Sequence, residues 1–112
     1  MKVTVTKADG LVPVLALVGE FDALESDEIQ HALARVLADG EPSLVVDLSE
    51  MSFANSTTIA CFISAQKNAR EKGGKIVLAA PDEFFHKTLL TLGLDQVFSI
   101  YGTVDDAHQA IG

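Results

Sequence analysis

Three hydroxyl residues, Ser56, Thr57 and Thr58, follow directly on Asn55, between an apolar run that ends at Leu48 and a long stretch with helical patterning. Asn is a strong helix N-cap, because its side-chain oxygen can accept from amides one turn on. The three hydroxyls then fall in the first turn, where unpaired amides and the positive end of the helix dipole favour an anion. A phosphate on Ser56 would add about 1.5 to 2 negative charges there without melting the helix. The chemistry this spacing could carry is therefore phosphate acceptance at Ser56, with Thr57 as its neighbour. Ser and Thr also favour first turns for conformational reasons alone, and the residues by themselves leave both readings open.

Other chemistries find less support. His31, His86 and His108 belong to three separate helical stretches without metal-ligand spacing, and are expected to face solvent. Ser56 lacks a Gly-x-Ser-x-Gly elbow and an evident base. Cys61 lies inside an apolar helix, where an inert buried thiol is expected rather than a nucleophile. No Gly-rich phosphate loop of the Walker or dinucleotide type occurs. The expectation is a chain that is not an enzyme, with no catalytic residue, no metal and no cofactor.

The elements that must position Asn55 and the hydroxyls are legible from periodicity. Val3–Thr6 alternates apolar and polar as a half-buried strand, and Asp9-Gly10 suits a two-residue hairpin turn. Leu11–Val18 reads as the second strand, with Pro13 near its start, broken by Gly19-Glu20-Phe21-Asp22. Asp22 and Glu25 have capping-box spacing, with Ser26 as an alternative cap. Leu24, Ile29, Ala32, Leu33, Val36 and Leu37 then form the inner face of a first helix, which Gly40 and Pro42 end.

Leu44–Leu48 is a short apolar strand of the kind found inside parallel sheets. A helix from about Ser56 to Lys72 follows, closed by Gly73-Gly74, and then a strand at Ile76–Ala80. Asp82 caps a third helix with Phe85, Leu89 and Leu92 inward, ended by Gly93. Val97–Tyr101 reads as the last strand, and Thr103 with Asp106 caps a short final helix. The fold class is α/β: a mixed sheet, mostly parallel, with an N-terminal antiparallel hairpin and about four helices. Two loops at the carboxyl ends of strands are the expected meeting place for partners. One carries Phe21 and Asp22, the other Met51 to Thr58. Asp22 also serves as a plain cap of the first helix, and residues such as Phe21, Met51 and Phe53 are more often core than surface.

With 112 residues, 48% of them apolar, the chain is expected to form one packed domain over 1–112 rather than a disordered segment. Sixteen acidic residues against eight basic ones give a net charge of −8, which disfavours nucleic acid and anionic membrane as partners. One cysteine allows no internal disulfide and suits a reducing compartment. No apolar run approaches the roughly 20 residues of a membrane span. A cytoplasmic protein is expected.

The runs Val45-Val46-Asp47-Leu48-Ser49, Phe53-Ala54-Asn55-Ser56-Thr57-Thr58-Ile59 and Gly73-Gly74-Lys75-Ile76-Val77-Leu78 resemble STAS domains, the sulfate-transporter and anti-sigma-factor-antagonist modules. The likeness extends to Gly19-Glu20-Phe21-Asp22 and to Leu92–Phe98, and the order of elements is also the family's. In bacterial antagonists of that family the helix-start motif reads Asp-Ser-Ser-Gly or similar. The hydroxyl after the Asp is phosphorylated by an anti-sigma kinase, and only the unphosphorylated form binds that kinase.

Carried onto this chain, the resemblance makes Ser56 the acceptor. It implies an anti-sigma factor serine kinase as partner, docking on Phe21, Asp22, Met51, Phe53, Asn55, Ser56, Thr57 and Thr58. Asn55 stands where the family has Asp, which keeps the cap but removes a carboxylate, and Thr58 stands where it has Gly, which adds bulk. Some stand-alone STAS proteins instead bind the ATPase of a lipid-transport complex. That alternative, an accessory subunit of a transporter ATPase, requires no phosphate.

Overall fold

The computed structural model describes residues 2–6, 12–21, 26–38, 43–54 and 56–111. Among the described residues five strands form one sheet in the sequence order: β1 (Lys2–Thr6), β2 (Val14–Phe21), β3 (Leu44–Ala54), β4 (Ile76–Ala79) and β5 (Ile100–Tyr101). β1 pairs antiparallel with β2, and every later neighbour is parallel. The helices are α1 (Ser26–Ala38), α2 (Ser56–Glu71), α3 (Glu83–Thr91) and α4 (Val104–Ile111). This is the mixed, mostly parallel sheet with an opening antiparallel pair that the periodicity predicts.

Successive right-handed crossovers in one direction place their helices on one face of the sheet. Leu15, Leu17, Leu44, Val46, Leu48, Ile76 and Leu78 pack there against Ile29, Leu33 and Leu37 of α1, Phe62 and Ala65 of α2, and Phe85 and Leu89 of α3. The alternate residues Val45, Val77 and Ala79 turn to the other face, where Ala107 of α4 covers them with Val104 and Ile111. The two-residue period of a strand thus sorts one apolar run into two cores.

Two strands run longer than their apolar cores. β2 continues through Gly19, Glu20 and Phe21, and β3 continues six residues past Leu48 to Ala54. The extension is irregular, and its causes are local. Asp47 Oδ1 accepts from the amide of Ser49 at 3.0 Å, and the register shifts between Ala16 and Val18 of β2 as β3 passes there. A second shift falls between Gly19 and Glu20, where Gly19 sits at φ 96°. Only glycine takes that backbone angle cheaply. The residue that reads as a breaker therefore acts as a bulge, and pairing resumes beyond it.

The last strand is shorter than expected. Leu94–Gln96 form a 3-10 turn, with the amides of Val97 and Phe98 donating to the Leu94 carbonyl, so only Ile100–Tyr101 remain extended. Leu92 is 58% exposed instead of inward, because α3 ends at Thr91 and Leu94 takes the buried place. The caps at Asp82 and Thr103 are where the sequence puts them: Phe85 N donates to Asp82 Oδ1 at 2.7 Å, and Asp106 N to Thr103 Oγ1 at 3.0 Å. The expected hairpin turn at Asp9-Gly10, the capping box of Asp22 and Glu25, the inward Leu24 and the stop at Gly40 and Pro42 lie outside the described residues.

Candidate functional site

The two stretches expected to form a partner surface do meet at one edge of the sheet. Phe21, the last residue of β2, is the register partner of Ala54, the last residue of β3. α2 starts at Ser56, two positions on. Asp22 and Asn55, which follow those strand ends, lie outside the described residues. Phe21 and Phe53 are placed by their strands, with Phe53 opposite Glu20.

The phase of α2 decides which hydroxyls are available. Thr58, Ile59, Cys61, Phe62, Ala65, Gln66 and Ala69 are buried along its inner face. Ser56 and Thr57 fall on the outer side and are exposed, whereas Thr58 is fully buried. Met51 is 5% exposed and belongs to the main core, so it supports the site from below rather than offering surface. The stretch from Met51 to Ala54 is strand, not loop.

The alternation of polar Glu50, buried Met51 and exposed Ser52 is the signal that the strand continues past Leu48. It brings exposed Glu50 and Ser52 to the same edge as exposed Glu20, and those residues escape a reading that treats the segment as a loop.

Electrostatically, this helix start differs from the other three. α1 carries Asp27 and Glu28 in its first turn, α3 carries Glu83, and α4 carries Asp105 and Asp106. α2 has no acid in its first turn. Its positive dipole end therefore faces two exposed hydroxyls without a carboxylate of that turn to offset it. A phosphate there would gain from the helix rather than oppose it.

The remaining reactive groups are placed elsewhere. Burial of the Cys61 thiol, aided by the charge of Asp27, raises its ionisation above the usual thiol range, which suits an inert core thiol. His31 and His86 are exposed. His108 differs from the expectation of a solvent-facing ring, since it is half-buried and its Nε2–H donates to the Val12 carbonyl at 3.1 Å. Among the described residues no group of three or more His, Cys, Asp and Glu could hold a metal ion, and no helix is long and apolar enough to cross a membrane.

A family model described as "Mlab, STAS domain" matches residues 4–102, nearly the whole chain. The chain belongs to the STAS domain family. This STAS domain is 30% identical over 106 residues to the anti-sigma-F factor antagonist RsfB of Mycobacterium tuberculosis, covering 94% of this chain and 86% of that protein. Its structure is similar to the crystal structure of an anti-sigma factor antagonist from Mycobacterium paratuberculosis, with a TM-score of 0.88, 28% identity, and coverage of 98% and 92% of the two chains. The phosphorylated form of the Bacillus protein SpoIIAA shares the fold, with a TM-score of 0.78 at 16% identity and coverage of 99% of this chain and 100% of that one.

Proposed function

We propose that this STAS domain is an anti-sigma-factor antagonist, a regulatory binding module whose affinity for its anti-sigma factor is set by phosphate on Ser56. The observation that carries the reading is the placement of Ser56: exposed, at the head of a 16-residue helix whose first turn holds no acid. Likeness to proteins named as antagonists supports the role. The partner is a serine kinase that acts as the anti-sigma factor, and the setting is the cytoplasm.

The docking surface is assigned to Ser56 and Thr57 together with Phe21, Asp22, Phe53 and Asn55, while Met51 and Thr58 are buried. The unmodified hydroxyl can sit in an interface at little cost. A phosphate in the same position brings nearly two charges that must be desolvated or paired, and the complex loosens.

The test begins with mass spectrometry of the tagged protein recovered from its host, reading both the partner and the modified residue. Affinity for that partner is then compared among wild type, Ser56→Ala and Ser56→Asp. The alanine variant should bind as wild type does, and the aspartate variant at least tenfold more weakly. Equal affinity of all three refutes the switch. Recovery of a transporter ATPase in place of a kinase replaces the reading with the accessory-subunit one, in which Ser56 only begins a helix.

A further inference from the structure

We infer that this protein forms a two-fold dimer with a second copy of itself through β1 and α1, joining two five-stranded sheets edge to edge. The surface involved is separate from the Ser56 edge. It starts from β1, the outermost strand of the sheet, which pairs only with β2 among the described strands. Such an edge presents a row of backbone donors and acceptors to any strand that can reach it. The Val-Thr-Val-Thr pattern leaves Val5 48% exposed, on the same face as Val3.

Beside this edge lies a groove of about 430 Å³ lined by Val3, Val5, Glu28, His31, Ala32 and Arg35. Its lining has the symmetry of a self-complementary contact. In an antiparallel pairing of two β1 strands centred on Thr4, Val3 lies opposite the partner's Val5. The same two-fold, passing between His31 and Ala32, runs two copies of α1 antiparallel. Glu28 then lies opposite the partner's Arg35, and His31 opposite the partner's Ala32. Each of the six lining residues is thereby matched with another of the six, Val3 with Val5, Glu28 with Arg35 and the His31 ring over the small Ala32, as an isologous interface requires.

The layer spacing agrees with this pairing. α1 packs over both β1 and β2, so its axis lies about half a strand spacing inside β1. Two strands paired at ~4.8 Å then bring the α1 axes to about 10 Å apart, a normal helix-packing distance.

Glu28 and Arg35 are both exposed, so reversing either charge leaves the fold intact, which circular dichroism checks. Sedimentation equilibrium across ~1–300 µM reads the association directly. The wild type should dimerise, and Glu28→Arg and Arg35→Glu should each weaken the dimer at least tenfold by opposing like charges. An equimolar mixture of the two variants should recover association as a heterodimer, because every cross-pair is then of opposite sign. The double variant, carrying both reversals, should recover the homodimer. A wild type that stays monomeric across the range overturns the inference, as do single variants that dimerise like wild type or a mixture that stays monomeric. None of these outcomes depends on whether Ser56 accepts phosphate.

Discussion

Replacing Gln66 with Met removes one amide from the inner face of α2 and nearly nothing of its volume. Gln66 is 3% exposed, and its side chain bridges two parts of the chain. Oε1 accepts from the Ile76 amide at 2.7 Å, at the first residue of β4, and Nε2 donates to the Val97 carbonyl at 2.8 Å. The two losses are unequal. The Val97 carbonyl also accepts from Arg70 Nη2 at 3.2 Å and keeps that partner. The Ile76 amide belongs to a residue with no exposed surface, so water cannot replace its lost acceptor.

A buried donor left unsatisfied costs about 1–3 kcal/mol, and the added apolar burial of Met offsets a fraction of that. The expected net destabilisation is about 2 kcal/mol. In urea this moves the unfolding midpoint down by roughly 1–2 M for a domain of this size. Hydrogen exchange at Ile76 should accelerate in step. Arg70→Ala, on an exposed side chain that shares the Val97 carbonyl, should cost about 0.5 kcal/mol or less.

Gln66→Glu adds a pH signature. The protonated acid can still donate to Val97, whereas the carboxylate would face that carbonyl in a buried site, so the folded-state ionisation is raised above the unfolded value. Stability should then be near wild type below the ordinary Glu range of about 4.3 and fall as pH rises from there towards the folded-state value. A Gln66→Met variant within about 0.5 kcal/mol of wild type, with Ile76 still protected, would refute the claim that this amide couples α2 to β4.

Two further predictions concern single side chains. Cys61 ionises above its reference of 9.0, chiefly because it is buried. The unfolded chain therefore loses the proton first, and the contribution of Cys61 to stability should be lost as pH rises past about 9. Unfolding curves of wild type and Cys61→Ala between pH 8 and 10.5 should show the wild type declining more steeply, and its native thiol should react with an aromatic disulfide reagent only slowly until urea is added. Parallel pH slopes would contradict this. Asp82→Ala removes the 2.7 Å cap on the Phe85 amide and should cost about 1 kcal/mol in urea unfolding, with Asp82→Asn retaining most of it. Equal losses in both variants would mean that the carboxylate charge, not the cap, matters.

Much of this fold follows from local chemistry. The α1 stripe from Ile29 to Leu37, the caps at Asp82 and Thr103, and the stop at Gly73 with φ 84° are all set within a few residues of chain. The resemblance to STAS domains is legible as well, from runs spread along the chain, and the family model matches residues 4–102. The position of Ser56 in a first turn is equally local, because helix entry depends on caps and periodicity.

Other features were decided only when the elements packed. Gly19 reads as a breaker, yet pairing with β3 turns it into a bulge, since the neighbouring strand supplies the hydrogen bonds that an isolated segment lacks. Leu92 continues the apolar period of α3 but is exposed, because the 3-10 turn delivers Leu94 to the core instead. Gln66 interrupts the apolar stripe of α2 as a polar residue with no local purpose. Its partners, Ile76 and Val97, are 10 and 31 residues away. The division of the three hydroxyls, with Ser56 and Thr57 outward and Thr58 fully buried, depends on which side of α2 meets the sheet. Local spacing sets the elements because caps and turns act over one turn of chain. The exposure of each site residue is set by contacts between elements distant in sequence, which only the folded structure brings together.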